Sequence, residues 1–153
     1  MTRLLLLLLF ILPISSEGQQ FLDKPGKEMK LFFKQKKDSL AGKNIRYSEK
    51  GKELILTEKK AGKDFIRHEF SFDSLGNCSK EKVIASSEAL MQEKLSPLLA
   101  QSEFAWKKIN ENQYISKFED RLMIELSPEK GDYSFSILRM GWTKVLYDIL
   151  IAN

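Results

Sequence analysis

The feature that most constrains the fold is a change of period at Lys43, after which apolar and polar residues alternate along short segments. Residues that favour turns separate these segments at intervals of about eight to twelve positions, as in an antiparallel meander. Such connections are too short for the crossovers that a parallel sheet requires. We therefore predict an antiparallel sheet of about eight short strands in two runs of four, over residues 43–85 and 104–139.

Three helices are predicted around these two runs of strands. Residues 27–37 carry Met29, Phe32 and Phe33 on one stripe at helical spacing, and Ser87 offers a cap for a middle helix. A C-terminal helix over residues 142–153 should be well buried, because it has a continuous apolar stripe: Trp142, Val145, Leu146, Ile149 and Leu150. The predicted fold class is α+β, with the N-terminal, middle and C-terminal helices packed on one face of the sheet.

The order helix, four strands, helix, four strands and helix raises the question of an internal repeat. Lys50-Gly51 matches Lys130-Gly131 at a spacing of 80, whereas the first and second helices are only about 60 residues apart. Since the two spacings disagree, the sequence predicts no repeat.

The N-terminus is typical of a cleavable secretory signal peptide over residues 1–18. Arg3 precedes an apolar run from Leu4 to Ile14, and small residues precede a cleavage site between Gly18 and Gln19. The run is far shorter than the roughly 20 residues that a membrane-spanning helix needs. We therefore predict an exported protein, periplasmic or secreted, with one globular domain over residues 19–153 and no transmembrane segment.

Composition places the exported part among ordinary globular domains. At 42% hydrophobic and 30% charged residues, the chain suggests neither disorder nor a membrane bundle. The single cysteine, Cys78, cannot form an intramolecular disulfide, so the fold must depend on its core. Cys78 itself is either a reactive thiol or, as free cysteines usually are, a small apolar residue within the sheet.

Charge is distributed unevenly along the chain. Residues 24–63 contain 13 Lys or Arg against 5 Asp or Glu, whereas residues 64–153 contain 11 against 14. The basic half, with the lysines of the first helix, predicts weak contact with an anionic lipid or glycan surface. A solvated lysine-rich face is the alternative interpretation.

The sequence lacks the motifs that identify common enzymes and cofactor proteins. One histidine and one cysteine are too few for the usual zinc sites, and no nucleotide-binding glycine motif or nucleophile elbow is present. No catalytic residue, cofactor or metal ligand is assigned. No nucleic-acid-binding signature is found either.

Two residues are weak candidates for ligand contact, His68 and Arg139. Alternation places His68 on an apolar strand face with Ile66 and Phe70, where it is either a core imidazole or the polar anchor of an apolar ligand site. Arg139 ends a similar face, and its alternative role is to extend its head to water.

These observations favour a non-enzymatic, extracytoplasmic binding or interaction module for an unknown protein or small ligand. The alternatives are a small hydrolase without a recognised motif, and a peripheral envelope protein that uses its lysine-rich face.

Overall fold

The computed structural model describes residues 21–152. The predicted signal peptide, with its cleavage site between Gly18 and Gln19, lies outside the described residues. Along the described chain the elements are α1 (Gly26–Gln35), α2 (Lys37–Gly42), β1 (Ile45–Lys50), β2 (Glu53–Lys59), β3 (Phe65–Phe72), β4 (Cys78–Ala85), α3 (Glu88–Leu99), a short 3-10 helix (Ser102–Phe104), β5 (Lys107–Asn110), β6 (Gln113–Ile115), β7 (Leu122–Leu126), β8 (Ser134–Arg139) and α4 (Lys144–Ala152).

Eight strands within residues 21–152 form one antiparallel sheet in the order β1-β2-β3-β4-β8-β7-β6-β5. The predicted α+β class and the two runs of four strands are confirmed. Tight turns connect the strands because the turns contain residues that can adopt a positive φ. Gly51, for example, has a φ of 59° between β1 and β2.

The strand order is symmetric about the β4–β8 pair. Each half of the sheet is a four-strand meander that follows a helix, α1 in the first half and α3 in the second. The two halves thus have the same order of elements, and the offset between them is that of the two helices and not that of the two Lys-Gly pairs. The same order of elements needs no similarity of sequence, so the residues themselves show no repeat.

One face of the sheet, which we call the inner face, carries the larger core. Ile66 and Phe70 of β3, Val83 of β4 and Ile137 of β8 are buried on this face. They belong to one cluster with residues of the first three helices: Met29, Phe33, Leu40, Met91, Leu95 and Leu98. The buried stripe Met29 and Phe33 is the one predicted for α1, although Phe32 lies beside it at 40% exposure.

Helix α3 begins at the N-cap that the sequence predicted and contains a proline near its end. The Ser87 hydroxyl accepts a hydrogen bond from the Leu90 backbone N–H, so it is the N-cap. Pro97 lies inside this helix, which continues to Leu99. The hydroxyl of Ser96 donates to the Gln92 side chain within the same helix.

The C-terminal helix α4 does not share the inner face. Tyr147 of α4 packs in a second cluster with Ile115 of β6 and Met123 of β7, and these two residues pair on the opposite, outer face. The expectation that all three helices lie on one face is therefore wrong for α4. The expected burial of its stripe holds for Trp142, which is 5% exposed, but is wrong for Val145 and Leu146, which are 70% and 48% exposed. The helix has two apolar stripes, and the stripe that contains Tyr147 packs against the sheet.

Candidate functional site

The candidate site lies in the first meander, where β3 and β4 place His68 and Glu81 on the inner face. His68 is the register partner of Val83 and Glu81 is the partner of Phe70, so the two polar residues are diagonal neighbours across the ladder. Side chains of diagonal neighbours are close enough to interact when one of them is long. The alternation that predicted His68 on an apolar face is confirmed by the burial of Ile66 and Phe70.

Alternation with Val83 places Glu81 on this face, and a register shift earlier in β4 places Cys78 on it too. Lys80 pairs with Ser71, whereas Cys78 pairs with Phe72, so Ser79 is the extra residue of a bulge. Because of the bulge, Cys78 and Glu81 are both buried although three positions separate them. Glu81 was not among the residues predicted from sequence. Glu81 precedes Val83 by two residues, and this spacing could have placed its side chain on the same face of the strand.

His68 and Glu81 form a short, direct contact. The Nδ1 atom of His68 lies 2.6 Å from Oε1 of Glu81, and the exposed fractions of the two side chains are 21% and 1%. An ionised carboxylate only accepts hydrogen bonds, so with Glu81 ionised Nδ1 is the donor of this contact. The contact with the buried side chain holds the orientation of the ring.

Each member of this pair retains one atom without a hydrogen bond inside the described chain. Oε2 of Glu81 is buried and has no partner among residues 21–152, which is uncommon for a buried carboxylate oxygen. Nε2 of His68 likewise forms no hydrogen bond with any described residue. Since the ring is partly exposed and stacks against Phe70, Nε2 is a polar atom held in a fixed place beside apolar surface.

The second meander shows that the fold does not require this pair. Its corresponding inner-face pairs are Ile124 with Ile137 and Leu126 with Phe135, all of them apolar. On the inner face of this ladder the one charged residue is Arg139, at the end of β8, where it pairs with Leu122; Glu125 of β7 pairs with Ser136 on the outer face. A core of ordinary hydrophobic side chains thus fills the positions that His68 and Glu81 occupy in the first meander.

Cys78 lies near the pair but is not prepared for nucleophilic chemistry. Its side chain is buried, and its thiol donates to the carbonyl of Lys80 at 3.7 Å. Burial, together with the charge of Glu81, raises the pKa of Cys78 to about 12. A reactive cysteine needs the opposite shift, so Cys78 is a small apolar residue of the sheet.

The structure does not bring the second candidate, Arg139, into this site. The guanidinium donates to the carboxylate of Asp23 and to the backbone carbonyl of Asp120, so its charge is paired within the chain. A separate cleft of about 400 Å³ lies at the β5–β6 and β7 ends and includes neither His68 nor Arg139. It is lined by Asn110, Glu111, Asn112, Gln113, Glu125, Leu126 and Pro128.

Residues 21–152 contain no group of three or more His, Cys, Asp or Glu side chains arranged to hold a metal ion. Across the same range, none of the helices has the length and apolar character needed to cross a membrane.

Comparisons with known proteins do not assign the site. Neither the protein-family models, nor the curated proteins, nor the solved structures gave a significant match to this chain. Function must therefore be inferred from the geometry of His68 and Glu81 and from the surfaces around them.

Proposed function

We propose that this chain is an exported, non-enzymatic binding module that holds a small ligand at His68. The observation that carries the proposal is the Nε2 atom of a partly exposed ring: it makes no hydrogen bond with a described residue, while the other ring nitrogen contacts the buried Glu81. Small-molecule sites are mostly apolar and place a few polar atoms precisely. The Nε2 atom of an imidazole ring that a carboxylate holds in place is such a polar atom.

The neighbours of His68 indicate the kind of ligand. Leu56 faces it from β2 and Val83 from β4, and Phe70 stacks on the ring at a centroid distance of 6.5 Å. The ligand would therefore have an apolar body and one polar group that bonds to Nε2. A neutral ring that donates from Nδ1 accepts at Nε2, whereas a protonated ring donates there.

Binding is favoured over hydrolysis because the described residues supply only part of a catalytic arrangement. Glu81 and His68 resemble a base with its orienting carboxylate, but a nucleophile would have to lie within hydrogen-bond reach of Nε2. No described serine, threonine or cysteine makes that hydrogen bond. Cys78, the nearest reactive type on the same face, has a raised pKa.

The test uses the fact that His68 is the single histidine of the sequence. In nitrogen-15 NMR, its two ring nitrogens give signals that can be followed separately while octanol, octanoic acid or octylamine is added. These probes share one apolar body and differ in the polar group. We expect at least one of them to shift the Nε2 signal strongly and the Nδ1 signal little.

The matched control is the double variant His68→Leu, Glu81→Ile, which copies the apolar pairs of the second meander. A probe that occupies the site should lose its affinity for this variant. If none of the probes moves Nε2, or if the double variant binds them as the wild type does, the proposed site is wrong.

A further inference from the structure

Helix α1 presents an apolar pair to solvent on the side that faces away from the sheet. Met29 and Phe33 are 1% exposed and face the core, whereas Leu31 and Phe32 are 58% and 40% exposed. The ring of Phe32 also contacts Phe21 at a centroid distance of 5.8 Å, which restrains its position. The exposed pair is thus a fixed part of the surface.

Lysines lie beside this apolar pair at helical spacing. Lys27 precedes Leu31 by four residues and Lys34 follows it by three, so both lie on the same side of the helix as Leu31. Both are exposed, Lys34 with 64% of its side chain accessible. We refer to Lys27, Leu31, Phe32 and Lys34 as the α1 patch.

The acidic residues near the patch do not cancel its charge. Glu49 of β1 lies 2.8 Å from the Lys30 Nζ and 3.6 Å from the Lys34 Nζ, so it binds mainly Lys30. Glu28 precedes Phe32 by four residues and borders the patch on that side. Over α1 and α2 together, residues 26–42, five lysines stand against two acidic residues, and Glu49 of β1 adds a third, so the net charge of this surface stays positive.

We propose that the α1 patch binds the surface of an anionic phospholipid bilayer, with α1 parallel to the membrane plane. Exposed apolar side chains flanked by lysines on one helix are the combination that interfacial helices use. Leu31 and Phe32 enter the boundary of the acyl chains, while Lys27 and Lys34 contact the headgroups. An anionic glycan would use the lysines but would gain nothing from the apolar pair.

The contact is weak and reversible, because one short helix contributes only two apolar side chains. It also leaves the inner face undisturbed, since Met29 and Phe33 remain in the core. Membrane binding at the α1 patch is therefore independent of ligand binding at His68, and the two can be tested separately.

Flotation of the full chain with lipid vesicles tests the proposal. Vesicles of phosphatidylcholine with phosphatidylglycerol are compared with vesicles of phosphatidylcholine alone, at about 0.1 M and about 1 M salt. The wild type should bind the anionic vesicles at low salt and be released at high salt, because the Debye length falls from about 10 Å to about 3 Å.

Matched variants separate the apolar and the basic contributions. Leu31→Ser with Phe32→Ser should weaken binding at least about tenfold, whereas Leu75→Ser, at a residue 84% exposed in the β3–β4 turn, should not. Lys27→Gln with Lys34→Gln should weaken it about five-fold for each lysine. The control for charge is Lys50→Gln with Lys52→Gln, in the β1–β2 turn.

Three results would overturn the proposal. The first is an absence of wild-type binding to the anionic vesicles. The second is equal binding by the wild type and the Leu31→Ser, Phe32→Ser variant. The third is binding to soluble heparin that is as strong as binding to vesicles and insensitive to the apolar substitutions, which would indicate a polyanion as the partner. Circular dichroism of each variant checks that it is folded.

Discussion

Arg139 and Asp23 form an ion pair across 116 residues of sequence, and it joins the end of β8 to the segment before α1. The Nε atom donates to one carboxylate oxygen at 3.0 Å and a terminal nitrogen donates to the other, while the remaining terminal nitrogen donates to the Asp120 carbonyl. The same segment pairs with the start of β4, because the Asp23 N–H donates to the Cys78 carbonyl at 2.8 Å. Arg139 thus holds three parts of the chain together.

The first prediction concerns this pair. Replacement of Arg139 by Lys keeps the charge but removes the planar fork, so the free energy of unfolding should fall by about 1 kcal/mol. Both side chains are partly exposed, at 33% and 59%, which keeps the effect small. Urea unfolding of Arg139→Lys, Asp23→Asn and the double variant gives the coupling free energy between the two side chains. Strict additivity of the two single changes would show that the pair contributes nothing.

The second prediction concerns the buried pair of His68 and Glu81. His68→Phe alone leaves a buried carboxylate without a partner and should lower the free energy of unfolding by about 3 kcal/mol. His68→Leu with Glu81→Ile should recover stability to within about 1 kcal/mol of the wild type, because no buried carboxylate is then left without a partner. Urea unfolding measures both. A double variant as unstable as His68→Phe would mean that the fold itself needs the pair.

The third prediction concerns the reactivity of Cys78. Because burial raises the pKa of this thiol to about 12, the folded protein should react very slowly with a thiol reagent near neutral pH. Reaction should accelerate in urea in parallel with unfolding. Fast labelling of the folded protein, measured by mass spectrometry, would contradict the buried position.

A fourth prediction concerns the effect of the Cys78 thiol on the stability of the fold at alkaline pH. A thiol with a raised pKa in the fold and an ordinary value, near 9.0, in the unfolded chain stabilises the fold fully below pH 9.0. That contribution is lost as the pH rises through the interval between 9.0 and about 12. Cys78→Ala should therefore show a smaller loss of stability over this interval than the wild type, as measured by urea unfolding.

A fifth prediction concerns Glu49 at low pH. Hydrogen bonds from Lys30 and from the Tyr47 hydroxyl hold the pKa of Glu49 at about 2, below its ordinary value of 4.5. The lowered pKa means that these contacts stabilise the fold above pH 4.5 and are lost as the pH falls towards 2. The difference in stability between the wild type and Glu49→Gln should shrink over this interval in acid unfolding measurements.

The sequence predicted the sheet well because its evidence is local. Alternation in Phe65–Phe72 determines which side chains of β3 share a face, and short turns allow only antiparallel neighbours. The position of His68 on an apolar face follows from the same rule. Neither conclusion depends on contacts between distant parts of the chain.

Other features depend on such distant contacts and could not be predicted. Glu81 lies between Lys80 and Lys82, which is typical of a solvated strand; its spacing of two from Val83 gives its face, but its burial depends on the helices packed on that face. The buried stripe of α4 is decided by Ile115 and Met123, not by α4 itself. Arg139 likewise finds Asp23 only in the folded chain.

The symmetric strand order has a consequence for the order in which the chain folds. Within the described sheet, β4–β8 is the one pairing that joins strands distant in sequence, and every other pairing joins consecutive strands. The first meander can therefore form before the second has been synthesised, with β4 as an open edge in the meantime. Lys80 and Lys82 lie on that edge strand, and their charges would discourage it from pairing with a second, equally incomplete copy.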